Sequence, residues 1–349
     1  MRILIPSDAW RPQINGVVRV FETTADWLAR FGHEVEVIGP DRFPRTIGAP
    51  GYREVRLAVA PGLRLARTIA AFRPDAIHIP VEGPIGLAAR RWCRIRGIPF
   101  TTSYHTRFGD YFAKRVGGGS RLAYAAQRWF HNGGEALMVQ TDTLERELGN
   151  RGFRNIRRWG RAVDTAQFRP MREEAGFDPD FLGLPRPIFL YLGRVSAEKN
   201  LEQFLGLDLP GSKVVVGDGP ALSPLRERFP DARFLGYRTG EDLPRHLSAA
   251  DVFVFPSRFE TFGLVVLEAL SCGTPVAALP VPGPLDILGG APVAVLDEDL
   301  RAGALRALDI KRSEARRFAE GFSWERCTRE FEANLVPIPR AVWDLAARP

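Results

Sequence analysis

Residues 252–271 read Val-Phe-Val-Phe-Pro-Ser-Arg-Phe-Glu-Thr-Phe-Gly-Leu-Val-Val-Leu-Glu-Ala-Leu-Ser, and the fold turns on how this stretch divides. Val252–Phe255 is a short apolar run of β-branched and aromatic residues, the composition of a strand buried on both faces. Pro256 ends the run and Gly263 closes the loop that follows. Leu264–Ser271 then has the length and apolar content of a helix packed against the sheet. A strand that passes through a loop into a helix is the first part of a βαβ unit, so a parallel sheet is expected.

The same alternation extends in both directions. Towards the C-terminus lies a strand at Pro275–Ala278; towards the N-terminus lie strands at Ala232–Leu235, Lys213–Val216 and Ile188–Leu192. Asp164–Pro187 is rich in Pro, Asp and Gly and carries no such pattern, which puts a domain boundary near residue 167. Before it stands a second series: strands Arg2–Pro6, Glu34–Gly39, Ala76–Ile79, Phe100–Tyr104 and Ala136–Val139, with helices at Phe21–Phe31 and Ile85–Arg96. A chain of 349 residues exceeds one ordinary core, which agrees with two domains. The expected fold is α/β, with two Rossmann-like doubly wound domains, 1–166 and 167–332, facing a central cleft. Trp324–Ala347 reads as helix broken at Pro337 and Pro339, with residues 333–349 returning to the first domain.

Composition narrows the function classes. With 45% hydrophobic and 26% charged residues the chain is a folded protein without low-complexity tracts. Cys93, Cys272 and Cys327 lie far apart in no zinc or disulfide spacing, which implies buried thiols in a reducing compartment. The start enters a strand directly, unlike a signal peptide, and no apolar run is long enough to span a bilayer. A cytoplasmic location follows as the expectation. Residues 1–170 carry 27 Lys and Arg against 15 Asp and Glu, and the remainder 21 against 26. The basic excess thus belongs to the N-terminal half, which suits an anionic partner there, a membrane surface or a nucleic acid; an arginine-rich coding bias gives the same count. Only Lys114, Lys199, Lys213 and Lys311 are lysines, so a lysine at a strand end stands out.

Ligands of open α/β sheets bind beyond the carboxyl ends of the strands. There the loop to Gly263 and Leu264 leads into a helix N-terminus, whose free amides and dipole attract a diphosphate. Glu260, just outside, can accept sugar hydroxyls, and Glu268, eight residues on, can accept a vicinal pair from a ribose. Taken singly, Glu260 reads first as a helix cap and Glu268 first as a solvated charge. Tyr191-Leu-Gly-Arg-Val-Ser-Ala-Glu-Lys-Asn200 ends another strand: Gly193 admits a close ligand, and Arg194 with Lys199 can grip a pyrophosphate from two sides. Lys199 also reads as an exposed cation before a helix. Gly217, in Val216-Gly-Asp-Gly-Pro220, and Gly16, in Pro12-Gln-Ile-Asn-Gly-Val-Val18, are glycines of further strand-to-helix turns. His105 follows Phe100–Tyr104, where a histidine serves a ligand or merely the core.

Together these segments resemble glycosyltransferase family 4, the retaining enzymes of GT-B fold. The match rests on the Glu260 and Glu268 pair with Cys272-Gly-Thr-Pro275, on Gly193–Asn200, on Val216–Pro220, on Pro282-Gly-Pro-Leu-Asp286 and on Phe322-Ser-Trp-Glu325. The resemblance implies that Arg194 and Lys199 hold the donor diphosphate, Glu268 the ribose and Glu260 the transferred sugar. Thr261, Phe262, Gly263 and Leu264 would line the donor site with Gly193 and Gly217. Gly16 would lie beside the diphosphate and His105 against the sugar. It implies a nucleotide-diphosphate sugar as donor substrate and neither metal nor other cofactor. Two departures stand out: Gly160-Arg-Ala-Val-Asp164 replaces the usual Asn-Gly-Val-Asp, and Leu201–Pro210 is short for the helix after the clamp.

Within the family, Asn15-Gly-Val-Val-Arg19 and Pro282–Asp286 look most like lipid glycosyltransferases, α-mannosyltransferases and sulfoquinovosyl diacylglycerol synthases. The implied reaction is sugar transfer from a UDP-sugar, of glucose or glucuronic acid, to a membrane lipid hydroxyl; GDP-mannose-dependent mannosyl transfer is the alternative. The basic helix Ile85–Arg96 and the aromatic and basic stretch Phe108–Phe130 suit an anionic membrane surface, so the protein is expected to be peripheral to its inner face. The same aromatics read equally as core, with the arginines solvated. A nucleotide-sugar epimerase and a non-catalytic binding protein are the competing classes, and no nucleic-acid motif is present.

Overall fold

The computed structural model describes residues 1–13, 15–49, 52–105, 120–258 and 263–346. The chain forms two compact units, Met1–Gly160 with Trp324–Pro349, and Arg161–Ser323.

The first unit runs β1 (Arg2–Pro6), α1 (Gly16–Arg30), β2 (Glu34–Ile38), the antiparallel pair β3 (Thr46–Ala49) and β4 (Tyr52–Ala58), then α2 (Gly62–Phe72) and β5 (Ala76–Ile79). It continues through α3 (Pro84–Ile95), β6 (Thr101–Ser103), α4 (Ser120–His131), β7 (Ala136–Val139), α5 (Asp142–Asn150) and β8 (Ile156–Arg158). Six strands make one parallel sheet in the order β2-β1-β5-β6-β7-β8. From β5 onward the chain advances one way along the sheet, so right-handed crossovers put α3, α4 and α5 on the same face.

The second unit runs β9 (Ile188–Leu192), α6 (Leu201–Leu205), β10 (Ser212–Val216), α7 (Leu222–Arg228), β11 (Arg233–Gly236), α8 (Asp242–Ala249) and β12 (Val252–Phe255). Then come α9 (Leu264–Ser271), β13 (Val276–Ala278), α10 (Pro282–Leu288), β14 (Ala294–Leu296), α11 (Leu300–Ala307) and α12 (Arg312–Glu320). Its parallel sheet has the order β11-β10-β9-β12-β13-β14. Successive residues of β9 and β12 enter two different cores: Leu190, Phe253 and Phe255 join one cluster, Phe189, Tyr191 and Val254 the other. Both faces are covered, which is why these strands read as unbroken apolar runs. Both units are Rossmann-like.

The last helices, α13 (Trp324–Asn334) and α14 (Ala341–Ala346), pack in the first unit. Phe331 lies 4.8 Å from the His78 ring and 4.9 Å from Trp159, and Trp343 stacks on Trp92. The Glu330 carboxylate accepts from the Gly160 amide at 3.1 Å. The return therefore begins at Trp324, earlier than residue 333, and the units part at Gly160, earlier than residue 166. The reason lies in side-chain burial: Phe331 belongs to the first unit's aromatic cluster, while the Val163 amide donates to Phe322 O and its side chain joins the second unit's core.

Candidate functional site

In the second unit β9 is laid down first, β10 and β11 are added on one side and β12 on the other. The loops after β9 and β12 leave in opposite directions, and the crevice between them is where such sheets take ligands. Gly193 follows β9 at φ 149° and Gly217 follows β10 at φ 143°. The Gly193 amide donates to Val216 O at 3.0 Å and the Gly217 amide to Gly236 O at 2.9 Å. A Cβ on Gly217 would fall 1.8 Å from Gly193 O. Bare backbone at 217 is thus what lets the two turns touch.

Arg194 is exposed and Lys199 half-buried. Between them Glu198 is subject to burial, which raises its pKa, but the Ser196 hydroxyl, donating at 2.7 Å, and the charges of Arg194 and Lys199 hold the carboxyl below its usual range. Both cations therefore act on one carboxylate within a single turn. Asn200 Nδ2 donates to Gln203 Oε1 at 2.6 Å and to Pro256 O at 3.1 Å, which ties this turn to the loop after β12. Glu260, Thr261 and Phe262 lie outside the described residues. The chain resumes at Gly263, at φ 88°, which starts α9; no side chain caps that helix among the described residues. Leu264 is its first residue, partly exposed. Glu268, one turn on, is 6% exposed and so is not the solvated charge that was one of its two readings. Two cations, the N-terminal amides of α9 and a buried carboxylate at adjoining strand ends make a setting suited to a diphosphate bonded to a hydroxyl-bearing group.

In the first unit the order of strands reverses between β1 and β5. Gly16 opens α1 beside Asn15, whose Oδ1 accepts from the Val17 and Val18 amides at 3.0 and 3.1 Å. A Cβ at Gly16 would meet nothing within 4 Å, and its φ is not in the left-handed region. Among the described residues neither packing nor a left-handed backbone calls for glycine at this position. A cavity of about 400 Å³ adjoins it, lined by Arg11, Gln13, Asn15 and Arg19 among others. His105 has its Nε2 2.7 Å from Ser103 Oγ and meets Phe21 and Trp159 edge-on.

Sequence reasoning missed what stands behind His105. Ser103 Oγ lies 2.9 Å from Nε2 of the fully buried His78, whose Nδ1 lies 2.9 Å from Thr101 Oγ1. Thr101 and Ser103 share one face of β6, two residues apart, opposite His78 on β5. Alternating hydroxyls in a buried strand were the available signal. Asp8 and Glu82, at the ends of β1 and β5, were missed as well. Glu82 is half-buried, and the partial loss of water raises its pKa, yet bonds from His131 at 3.0 Å and Gln127 at 2.9 Å hold it below the carboxylate range.

Asp8 accepts from the Ile85 and Gly86 amides, both at 3.0 Å, and so caps α3. Burial nonetheless pushes it up to about 6, Glu82 adding to the effect. An acid raised on folding binds its proton more tightly in the native state, so stability is greatest below the unfolded value and falls as pH rises to about 6. Asp8→Ala should therefore destabilise most near pH 4, with a penalty that shrinks by roughly 3 kcal/mol by neutral pH. Urea titrations across that range check this; a penalty that grows with pH would contradict it.

Residues 14–167 match the family model described as Glycosyltransferase Family 4, and residues 186–309 the one described as Glycosyl transferases group 1. A GDP-mannose-dependent alpha-mannosyltransferase of Mycobacterium tuberculosis is 30% identical over 82% of this chain and 81% of its own length. Sulfoquinovosyl transferase SQD2 of Arabidopsis thaliana is 30% identical over 79% of this chain and 58% of its own. Among solved structures, sucrose-phosphate synthase of Thermosynechococcus elongatus superposes with a TM-score of 0.74 at 20% identity, covering 95% of this chain and 97% of that one. HepE of Anabaena, solved with UDP, gives 0.70 at 14% identity, over 95% and 99% of the two chains.

Proposed function

We propose that this chain, which belongs to glycosyltransferase family 4, transfers mannose from GDP-mannose to a hydroxyl of a membrane lipid. That the protein is a GT-B glycosyltransferase using a nucleotide sugar follows from the family and fold; donor and acceptor are the proposed part. Expectation from sequence favoured UDP. The relatives of M. tuberculosis, Mycolicibacterium smegmatis and Corynebacterium glutamicum, each 30% identical over 82–89% of this chain, are named GDP-mannose-dependent and shift the donor reading to GDP. A UDP-sugar with a glycolipid product is kept as the second reading on the strength of the equally similar sulfoquinovosyl transferase.

The observation that carries the reading is that the Gly193–Asn200 turn, which bears Arg194 and Lys199, touches the Gly217 turn on one side and is tied through Asn200 to Pro256 of the loop after β12 on the other. In the proposed reaction the bond from the sugar's anomeric carbon to the diphosphate oxygen breaks and a bond to the acceptor oxygen forms on the same face. The acceptor's proton passes to the departing diphosphate. Arg194, Lys199 and the first amides of α9 offset the charge that grows on that oxygen. Glu268 takes the ribose hydroxyls and Glu260 those of the sugar, with Thr261 and Phe262 next to Glu260 in the sequence. The resemblance also assigns roles to Gly16 and His105 of the first unit.

Purified protein given GDP-mannose, UDP-glucose or UDP-glucuronic acid with a bacterial lipid extract, followed by mass spectrometry, tests this. A mannosylated lipid formed only with GDP-mannose is the expected product. Donor converted to another sugar nucleotide without acceptor would point to an epimerase instead.

A further inference from the structure

Helices α3 and α4 lie on one face of the first unit's sheet, and neither contains an aspartate or glutamate. On α3 the outward stripe is Leu87, Arg91, Arg94 and Ile95, spaced as one side of a helix. On α4 it includes Leu122 and Trp129. Leu87 is 41% exposed, Ile95 68%, Leu122 76% and Trp129 58%. Large apolar side chains this exposed, gathered on two helices and set among arginines, mark an interaction surface.

Between the helices runs a groove of about 420 Å³ lined by Arg90, Arg94, Arg128 and Trp129. Arg90 lies 3.6 Å over the Trp129 ring and donates to the Trp129 and Phe130 carbonyls at 2.7 and 3.1 Å, so its guanidinium is fixed at the groove wall. Burial, and then the charge of Arg94, hold Arg90 below the usual arginine value. Among the described residues no carboxylate pairs with Arg90, Arg91, Arg94 or Arg128. An anion seated there would relieve that repulsion.

We infer that the α3 and α4 face is the surface by which this protein docks on a bilayer containing anionic phospholipids, their phosphates meeting the arginine groove and the exposed apolar residues entering the headgroup layer. Charge complementarity chooses this occupant. A second copy of the chain would bring two acid-free helices together, whereas a lipid surface supplies both the negative charge and the apolar depth. A flat polyanion such as nucleic acid leaves Leu122 and Ile95 in water.

The test needs neither donor nor acceptor, so it can fail while sugar transfer stands, and the reverse. The full chain is sedimented with vesicles of phosphatidylcholine alone and of phosphatidylcholine mixed with phosphatidylglycerol. Binding to the anionic vesicles is expected to be at least about tenfold tighter and to weaken with salt. Arg91→Gln with Arg94→Gln should weaken it about 25-fold, at about fivefold per charge. Leu122→Ser with Ile95→Ser should weaken it about tenfold at unchanged salt dependence. All four side chains are exposed, so the melting temperature should not move. Equal binding to both vesicles, binding unchanged in the variants, self-association lost in Leu122→Ser with no vesicle binding, or a preference for nucleic acid would each overturn the assignment.

Discussion

Lys199→Ala is expected to lower kcat by about 10²–10³-fold, equivalent to about 3–4 kcal/mol of barrier, with the fold unchanged. On the proposed mechanism Lys199 offsets charge that appears only as the bond to the diphosphate breaks, so its loss should weigh on kcat more than on KM. Removal also leaves Arg194 as the remaining basic side chain of that turn acting on the Glu198 carboxylate. Lys199→Arg should recover part of the rate, since the charge is restored but not the compact ammonium. Steady-state kinetics with a saturating donor read both variants. A Lys199→Ala enzyme that keeps full kcat would remove the lysine from the reaction.

Gly217→Ala should cost more in stability than any surface change. Its Cβ would fall 1.8 Å from the Gly193 carbonyl oxygen, backbone against backbone, where no rotamer can give way. The φ of 143° adds strain for any residue with a side chain. Together these imply a loss of about 2–4 kcal/mol and a fall of about 5–15 °C in the melting of the second unit. Turnover should fall as well, because relief of the clash pushes the Gly193–Arg194 turn away from β10. Calorimetry and activity on one preparation check this; an unchanged melting temperature would show that the two turns do not touch.

Strands buried on both faces were the most legible part of the sequence. Ile188–Leu192 and Val252–Phe255 stand at the bounds their apolar runs imply, because Pro187, Gly193 and Pro256 punctuate them. Helix α1 begins at Gly16, before the amphipathic pattern that starts near Phe21, since Asn15 caps it and periodicity does not register a cap. The β3 and β4 pair was not read: Ile47 is 58% exposed and the pair lies apart from the main sheet, so no burial pattern marks it. The short α6 agrees with the brevity of Leu201–Pro210.

Within the candidate site, glycines and cations at strand ends were visible because their positions relative to apolar runs are local facts. The link of His78 to His105 through Ser103 was not. It depends on the register of two neighbouring strands, and a histidine inside an apolar strand carries no spacing of its own. Phe108, Tyr111, Phe112, Lys114 and Arg115, part of the stretch expected to meet a membrane, lie outside the described residues. Trp129 and Arg128 of that stretch are on the surface, whereas Phe130 is core, so each of the two readings holds for part of it. Among the described residues no helix is long and apolar enough to cross a membrane.

Calorimetric titration of GDP and GMP into the wild-type chain and into an Arg194→Ala, Lys199→Ala variant bears most directly on where the diphosphate sits. Wild type should bind GDP at least about tenfold more tightly than GMP, and the variant should bind the two nearly alike. Equal affinity of the wild type for both nucleotides, or a preference for GDP that survives in the variant, would contradict the placement of the diphosphate at this turn.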